Sequence, residues 1–189
     1  MHALTRRRER SMELNQRQPR DGGLCKSKLE PSCENSVLTL LCCNIRGFIS
    51  HSAELSVHLE LIGMPHFVGL VETLLTDLVG DISLPGYSLV SRRDRQDGRQ
   101  GGGIALFALA SVVAEIVHVA DSLKHERSFH LVHTDLGALS IVLWYRPPCY
   151  KELSSINDLF PECEEYGKGS MGTIIVGDLN VHHKPWLQF

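Results

Sequence analysis

The sequence predicts an α/β domain. From Val37 onward, short apolar runs of strand length alternate with Gly, Pro and polar turns. Between two of these runs, one stretch carries its apolar residues at helical spacing, which makes a strand-helix-strand crossover. No segment offers the roughly 18 uninterrupted apolar residues of a membrane span. The nearest, from Ile104 to Ala120, is broken by Glu115 and His118.

"VLTLLCC" (37–43) reads as a buried strand. After a turn through Gly47, "AELSVHLELIG" sets Leu55, Leu59 and Ile62 on one helical face, with Gly63 and Pro65 as stop signals. "HFVGLV" (66–71) is the second strand. Further strands are expected at "YSLVSR" (87–92), "GGIALFA" (102–108), "VVAEIVHV" (112–119), "SFHLVHTDL" (128–136) and "ALSIVLWY" (138–145). Residues 104–119 suit one helix as well, but the Gly run before them and the alternation after Ser111 favour two strands. Ile156, Leu159, Phe160 and Cys163 share a helical face, with Pro161 breaking that helix or opening a second short one. "TIIVG" (173–177) is the last strand.

With 189 residues, 43% hydrophobic and 22% charged, the chain suits one globular domain plus a tail. The tail is residues 1–35, polar, Arg-containing and poor in branched apolar residues, expected to be a disordered leader. Its Arg6, Arg7, Arg8 and Arg10 read as a solvated basic cluster before a nucleic-acid or localisation patch, and its acidic residues weaken a transit-peptide reading. A net charge of -3 supplies no bulk attraction to nucleic acid, so any such contact requires a local basic patch. The six Cys (25, 33, 42, 43, 149 and 163) lack C-x-x-C spacing and follow no signal peptide, which favours free thiols. Adjacent Cys42 and Cys43 point to opposite faces of their strand, so at least one is a small core residue.

Three strands end alike, with "VLTLLCC" running into Asn44, "HFVGLV" into Glu72, and "TIIVG" into Asp178 and Asn180. Each alone is ordinary turn chemistry. Together they suit the carboxyl ends of strands, where α/β folds bind ligands. A hard cation such as Mg²⁺ takes oxygen ligands, often one or two carboxylates with water and substrate phosphate. Glu72 supplies the carboxylate and Asn44 neutral support. Asp178 can orient or deprotonate water, and Asn180 can hold the phosphate or Asp178 itself, which together suggest metal-assisted hydrolysis of a phosphate ester.

The segments "NIRG" (44–47), "VGLVETLLT" (68–76), "SRRDRQDGRQGGGIALF" (91–107), "WYRPP" (144–148) and "GDLNVHHKPW" (177–186) follow in the order and approximate spacing of the endonuclease/exonuclease/phosphatase superfamily. More narrowly, they resemble the apurinic-endonuclease-like domain that precedes the reverse transcriptase of non-LTR retrotransposons. The resemblance covers about residues 37–189. It implies a DNase I-like, two-sheet α/β sandwich and a Mg²⁺-dependent nick in DNA, with Mn²⁺ as an alternative ion. Asn44 matches the first-motif Asn, Glu72 the metal-binding Glu, Tyr145 the Tyr at the scissile phosphate, and Asp178 and Asn180 the Asp and Asn of G-D-x-N. Arg92, Arg93 and Arg95 could meet backbone phosphates, although a solvated turn explains them equally well. Gly101 to Gly103 fit a tight strand entry rather than a phosphate cradle, because no P-loop Lys-Ser/Thr follows.

The family's domain also carries a Ser-Asp-His segment on later strands, and none occurs in these 189 residues. His182 and His183 are expected to be surface or turn residues rather than substitutes. The C-terminal strands are therefore expected to be missing, with impaired catalysis, as in a gene fragment, a degenerate element copy or a truncated gene model. The alternatives are a non-enzymatic remnant, or a phosphatase of the same superfamily acting on lipid or nucleotide phosphates. "RRDR" before "GGG" and "YRPP" before "GDLN" favour the retroelement endonuclease. Its expected partner is the DNA phosphate backbone, with no membrane and no obligate protein partner, inside the cell in the nucleus or cytoplasm.

Overall fold

A computed structural model describes residues 37–95, 101–112, 115–148 and 153–181, all within the compact unit Val37–Phe189. The expected leader with its Arg cluster, Cys25, Cys33, Cys149, His182 and His183 lie outside the described residues.

In chain order the elements are β1 (Leu40–Asn44), α1 (Phe48–Leu61), β2 (Phe67–Val71), β3 (Tyr87–Arg93), β4 (Ile104–Leu109), β5 (Glu115–Asp121), β6 (Arg127–Thr134), β7 (Gly137–Tyr145), α2 (Ser154–Asn157), α3 (Leu159–Tyr166) and β8 (Thr173–Asp178). They build two four-stranded sheets, β1-β2-β4-β3 and β5-β6-β7-β8. The pairs β1/β2 and β7/β8 are parallel, and the remaining neighbours are antiparallel. This is the two-sheet α/β sandwich that the resemblance implied. The parallel β1/β2 pair is the crossover unit read from the sequence, and Ile104–Leu109 and Glu115–Asp121 are two strands rather than parts of one helix.

Strand periodicity explains the uninterrupted apolar runs. One face of β2 and β4 sends Val68, Leu70, Ala105 and Phe107 into a core with Phe48, Leu55 and Leu59 of α1. The other sends Phe67, Val71, Ile104, Leu106 and Ala108 against Val132, Ile141, Leu143 and Tyr145 of the second sheet. A strand covered on both faces has no polar side to show in its sequence. Cys43 packs in the first core and Cys42 in the second, so both act as small apolar residues. Burial pushes the Cys42 thiol up to about 11, helped by Cys43 and Asp178, so it stays protonated.

Several expectations shift: the strands expected at 102–108, 112–119 and 128–136 run Ile104–Leu109, Glu115–Asp121 and Arg127–Thr134. The first strand starts at Leu40, not Val37, because β2 begins at Phe67, the partner of Leu40. Helix α1 starts at Phe48, five residues before Ala53, because Gly47 N and Phe48 N donate to Glu72 O and Thr73 O of the segment after β2. Ile62 is consequently the C-cap, 48% exposed, and the buried stripe is Phe48, Leu55 and Leu59. The face of Ile156, Leu159, Phe160 and Cys163 is not core, and Phe160 is 69% exposed. There are two short helices, with Pro161 in the first turn of α3, where its missing N–H costs no hydrogen bond.

His130 spans the sheets, its Nε2 2.7 Å from Ser91 Oγ and its Nδ1 3.3 Å from Ile141 O. Burial first, then neighbouring His118, pushes it down to about 4 from an ordinary 6.5. Between these values the unfolded chain binds the proton and the folded chain does not. Stability therefore falls as pH drops from 6.5 to 4, by on the order of 3 kcal/mol from this residue. Urea unfolding at pH 7 and pH 4.5 should show His130→Gln losing about 2–3 kcal/mol less than the parent. Equal losses would remove His130 as the source. Among the described residues, no helix is long and apolar enough to cross a membrane.

Candidate active site

The parallel pairs of the two sheets end together. Asn44, the last residue of β1, lies opposite Val71, the residue before Glu72. Tyr145, the last residue of β7, lies opposite Asp178, the last of β8. Two hydrogen bonds then cross from sheet to sheet. Asn44 Nδ2 donates to Asp178 Oδ2 at 3.2 Å, and Tyr145 OH donates to Glu72 Oε1 at 3.1 Å. The structure thus brings Asn44, Glu72, Tyr145 and Asp178 to one place.

Tyr145 is buried. Burial, then the charge of Glu72 and the hydrogen bond to it, pushes its phenol up to about 12, with Arg95 opposing. The hydroxyl is therefore a proton donor aimed at Glu72. Asn44 is engaged at both ends of its amide, because Oδ1 also accepts Arg46 N at 3.2 Å.

Backbone strain gathers here. Of the non-Gly residues at positive φ, Arg46 (50°), Glu72 (54°), Leu74 (53°) and Asn180 (43°) all lie within two residues of Asn44, Glu72 or Asp178. Such conformations persist only where surrounding contacts over-determine them, and they concentrate at functional sites. The contacts are visible. Thr73 N and Leu74 N donate to Gly103 O and Gly102 O, and Gly103 N donates to Glu126 Oε2 at 2.8 Å. A Cβ on Gly102 would stand 2.5 Å from Glu126 Oε2, so the glycine run is a close-packed entry into β4 that braces the segment after Glu72.

The arginines before that run have internal partners. Arg92 bonds both oxygens of Asp94 and the carbonyls of Thr76, Val79 and Gly80. Arg93 Nη1 donates to Ser122 O, and Arg95 Nε pairs with Glu126 Oε1 at 2.6 Å. A phosphate would have to compete with these partners. They border an open polar cleft of about 670 Å³ that also takes in Lys124 and His125.

Asn180 is held differently from the others. Its Nδ2 donates to Arg146 O at 2.8 Å, and its own carbonyl accepts Arg146 Nη1 at 3.0 Å. Arg146, Ser155 and Glu126 were not singled out from the sequence. "YRPP" contains Arg146, and an arginine sealed between a buried strand and two prolines was the one available signal.

The donor set suits a hard cation. Glu72 offers a carboxylate, Asn44 Oδ1 retains a lone pair, and Mg²⁺ needs few protein ligands because it keeps its waters. No group of three or more His, Cys, Asp or Glu able to hold a metal occurs among the described residues.

No protein-family model matches the chain, and no curated protein matches it in sequence. Solved structures do match in fold. The AP endonuclease LMAP from Leishmania major aligns with a TM-score of 0.58 at 16% identity, covering 80% of this chain and 57% of that one. The endonuclease domain of TRAS1, a telomere-specific non-LTR retrotransposon, aligns at 0.54 and 16% identity, covering 79% and 62%. A Neisseria 3' phosphatase, NExo, bound to product DNA hairpin, aligns at 0.51 and 12% identity, covering 77% and 58%. The chain spans about three fifths of the length of these structures. The shared feature is the fold, a DNase I-like two-sheet α/β sandwich.

Proposed function

We propose that the chain carries the site of a metal-assisted phosphodiester hydrolase acting on DNA, of the retrotransposon endonuclease type. The observation that carries this is the pair of inter-sheet hydrogen bonds, Asn44 to Asp178 and Tyr145 to Glu72, which gathers the residues of four strand ends. The fold neighbours whose names include an AP endonuclease, a retrotransposon endonuclease and a DNA 3' phosphatase support the substrate class.

Glu72, with Asn44 Oδ1, would hold Mg²⁺ or Mn²⁺, which when bound polarises a phosphoryl oxygen. Asn44 fixes Asp178 through Oδ2, leaving Oδ1 to accept the proton of an attacking water. As the water oxygen bonds to phosphorus, the bond from phosphorus to the leaving oxygen breaks. Tyr145 holds Glu72 by its hydroxyl, and in this reading would stand beside the scissile phosphate. Arg92, Arg93 and Arg95 border the cleft, but Asp94 and Glu126 offset the charge of Arg92 and Arg95, so contact with the DNA backbone would require a phosphate to displace those partners.

Calorimetry tests the metal assignment. Glu72→Gln is expected to weaken Mg²⁺ binding by at least about tenfold, since loss of groups at a metal centre typically costs that much. Equal affinity in the variant and the parent would take Glu72 out of the site. Cleavage of a phosphoinositide or nucleotide phosphate in preference to plasmid DNA would keep the chemistry and overturn the substrate.

A further inference from the structure

Arg146 is an arginine almost wholly withdrawn from water, 5% exposed, at the end of β7. A guanidinium stays charged in proteins, and burying a charge is costly unless its donors are satisfied. An aliphatic residue would fill the same space at lower cost. What the guanidinium adds is direction. Its Nε donates to Ser155 Oγ at 3.0 Å in α2, and its Nη1 donates to Asn180 O at 3.0 Å. Its backbone grips the same turn, with Arg146 N donating to Asp178 O at 2.8 Å and Arg146 O accepting Asn180 Nδ2. Residue 146 thus makes three bonds to the 178–180 turn, and Pro147 restricts it to the extended conformation that allows them.

Behind this grip lies a second buried arginine. Arg127 donates through Nη1 to Ser155 O at 2.6 Å and through Nε to Glu162 Oε2 at 2.5 Å, and lies over the Trp144 ring at 4.9 Å. Ser155 of α2 thus anchors both arginines and Glu162 of α3 anchors Arg127, which gives two helices with little buried apolar surface a reason to pack where they do.

We propose that Arg146 is a positioning residue for Asp178. Anchored on Ser155, it holds Asn180 in its left-handed conformation and so fixes where the Asp178 carboxylate meets Asn44. This rests on the hydrolytic role given to Asp178 above.

Arg146→Met in the 189-residue chain keeps an unbranched stem and removes the guanidinium. Amide hydrogen exchange at residue 146, whose N–H is given to Asp178 O, is expected to rise about tenfold or more, a local opening. Exchange at Ile141 and Leu143 in the same strand should stay within about twofold of the parent. Arg146→Lys, which keeps the charge without the two-pointed fork, should fall between, and is read in place of the Met variant if that does not fold. In plasmid nicking with Mg²⁺, kcat should drop roughly 10²-fold while KM changes little, as for a misplaced reacting group. Unchanged exchange at residue 146, or a rise spread equally over β7, would overturn the proposal. Nicking that does not depend on Asp178, in the 189 residues or in the chain extended by the terminal segment of the TRAS1 endonuclease domain, would overturn the hydrolytic role instead, and the exchange comparison would still decide whether Arg146 holds the turn.

Discussion

Asp178→Ala is expected to remove metal-dependent cleavage of supercoiled plasmid, lowering the rate by roughly 10²–10⁴-fold, the usual worth of a positioned proton acceptor. Asp178 ends β8 with its peptide carbonyl held by Arg146 N and its Oδ2 held by Asn44 Nδ2, so one carboxylate oxygen is left for the proton of water. Asp178→Asn keeps the shape of the side chain and loses its basicity, and should fail as badly. Asn44→Ala removes only the orienting bond and should cost less. Because the chain spans 62% of the TRAS1 endonuclease domain, the comparison is best run both on the 189 residues and on the chain extended by the terminal segment of that domain. Whichever polypeptide nicks, its nicking should vanish with Asp178. Cleavage that survives Asp178→Ala in either would sink the assignment of the base.

The strands were legible because burial on both faces leaves a signature, an apolar run of five to seven residues closed by Gly, Pro or a polar residue. Residues 67–71 and 104–108 are such runs. Asn44, Glu72 and Asp178 were legible for a related reason, since each is the first polar side chain after a run. Their pairing was not legible, because the two bonds that assemble the site join residues 134 and 73 positions apart. Periodicity identified the faces of Ile62 and Phe160 but carried no information about whether anything covers them. The site's support was invisible for the same reason: Glu126 and Ser155 look like ordinary loop and helix residues until β4 and β7 are folded beside them. Arg92, Arg93 and Arg95 form a basic cluster in sequence, yet each is engaged by neighbours that sequence spacing does not reveal.

Gly177→Ala is expected to have the largest effect on stability. Gly177 stands opposite Trp144 in the parallel β7/β8 ladder, at φ 143°. A Cβ there would lie 1.7 Å from Trp144 O and 2.7 Å from Trp144 C. Those are backbone atoms of a buried strand, so no side chain can swing aside, and β8 would have to leave β7. Effects above about 4–5 kcal/mol are exceptional for single substitutions and arise from overlaps of this kind, and a domain holds only about 5–15 kcal/mol in total. Gly169→Ala separates the steric part from the conformational part. Gly169 has φ 85° with nothing within 4 Å of its added Cβ, so only the left-handed backbone is penalised, by about 1–2 kcal/mol. Urea unfolding should place Gly177→Ala at least about 3 kcal/mol below Gly169→Ala, or find it without a cooperative transition. If it folds at all, displacement of β8 should also break the bond from Asn44 to Asp178, so cleavage is lost with stability. Equal destabilisation by the two substitutions would mean that β8 does not lie against Trp144, and with it would go the placement of Asp178 beside Asn44.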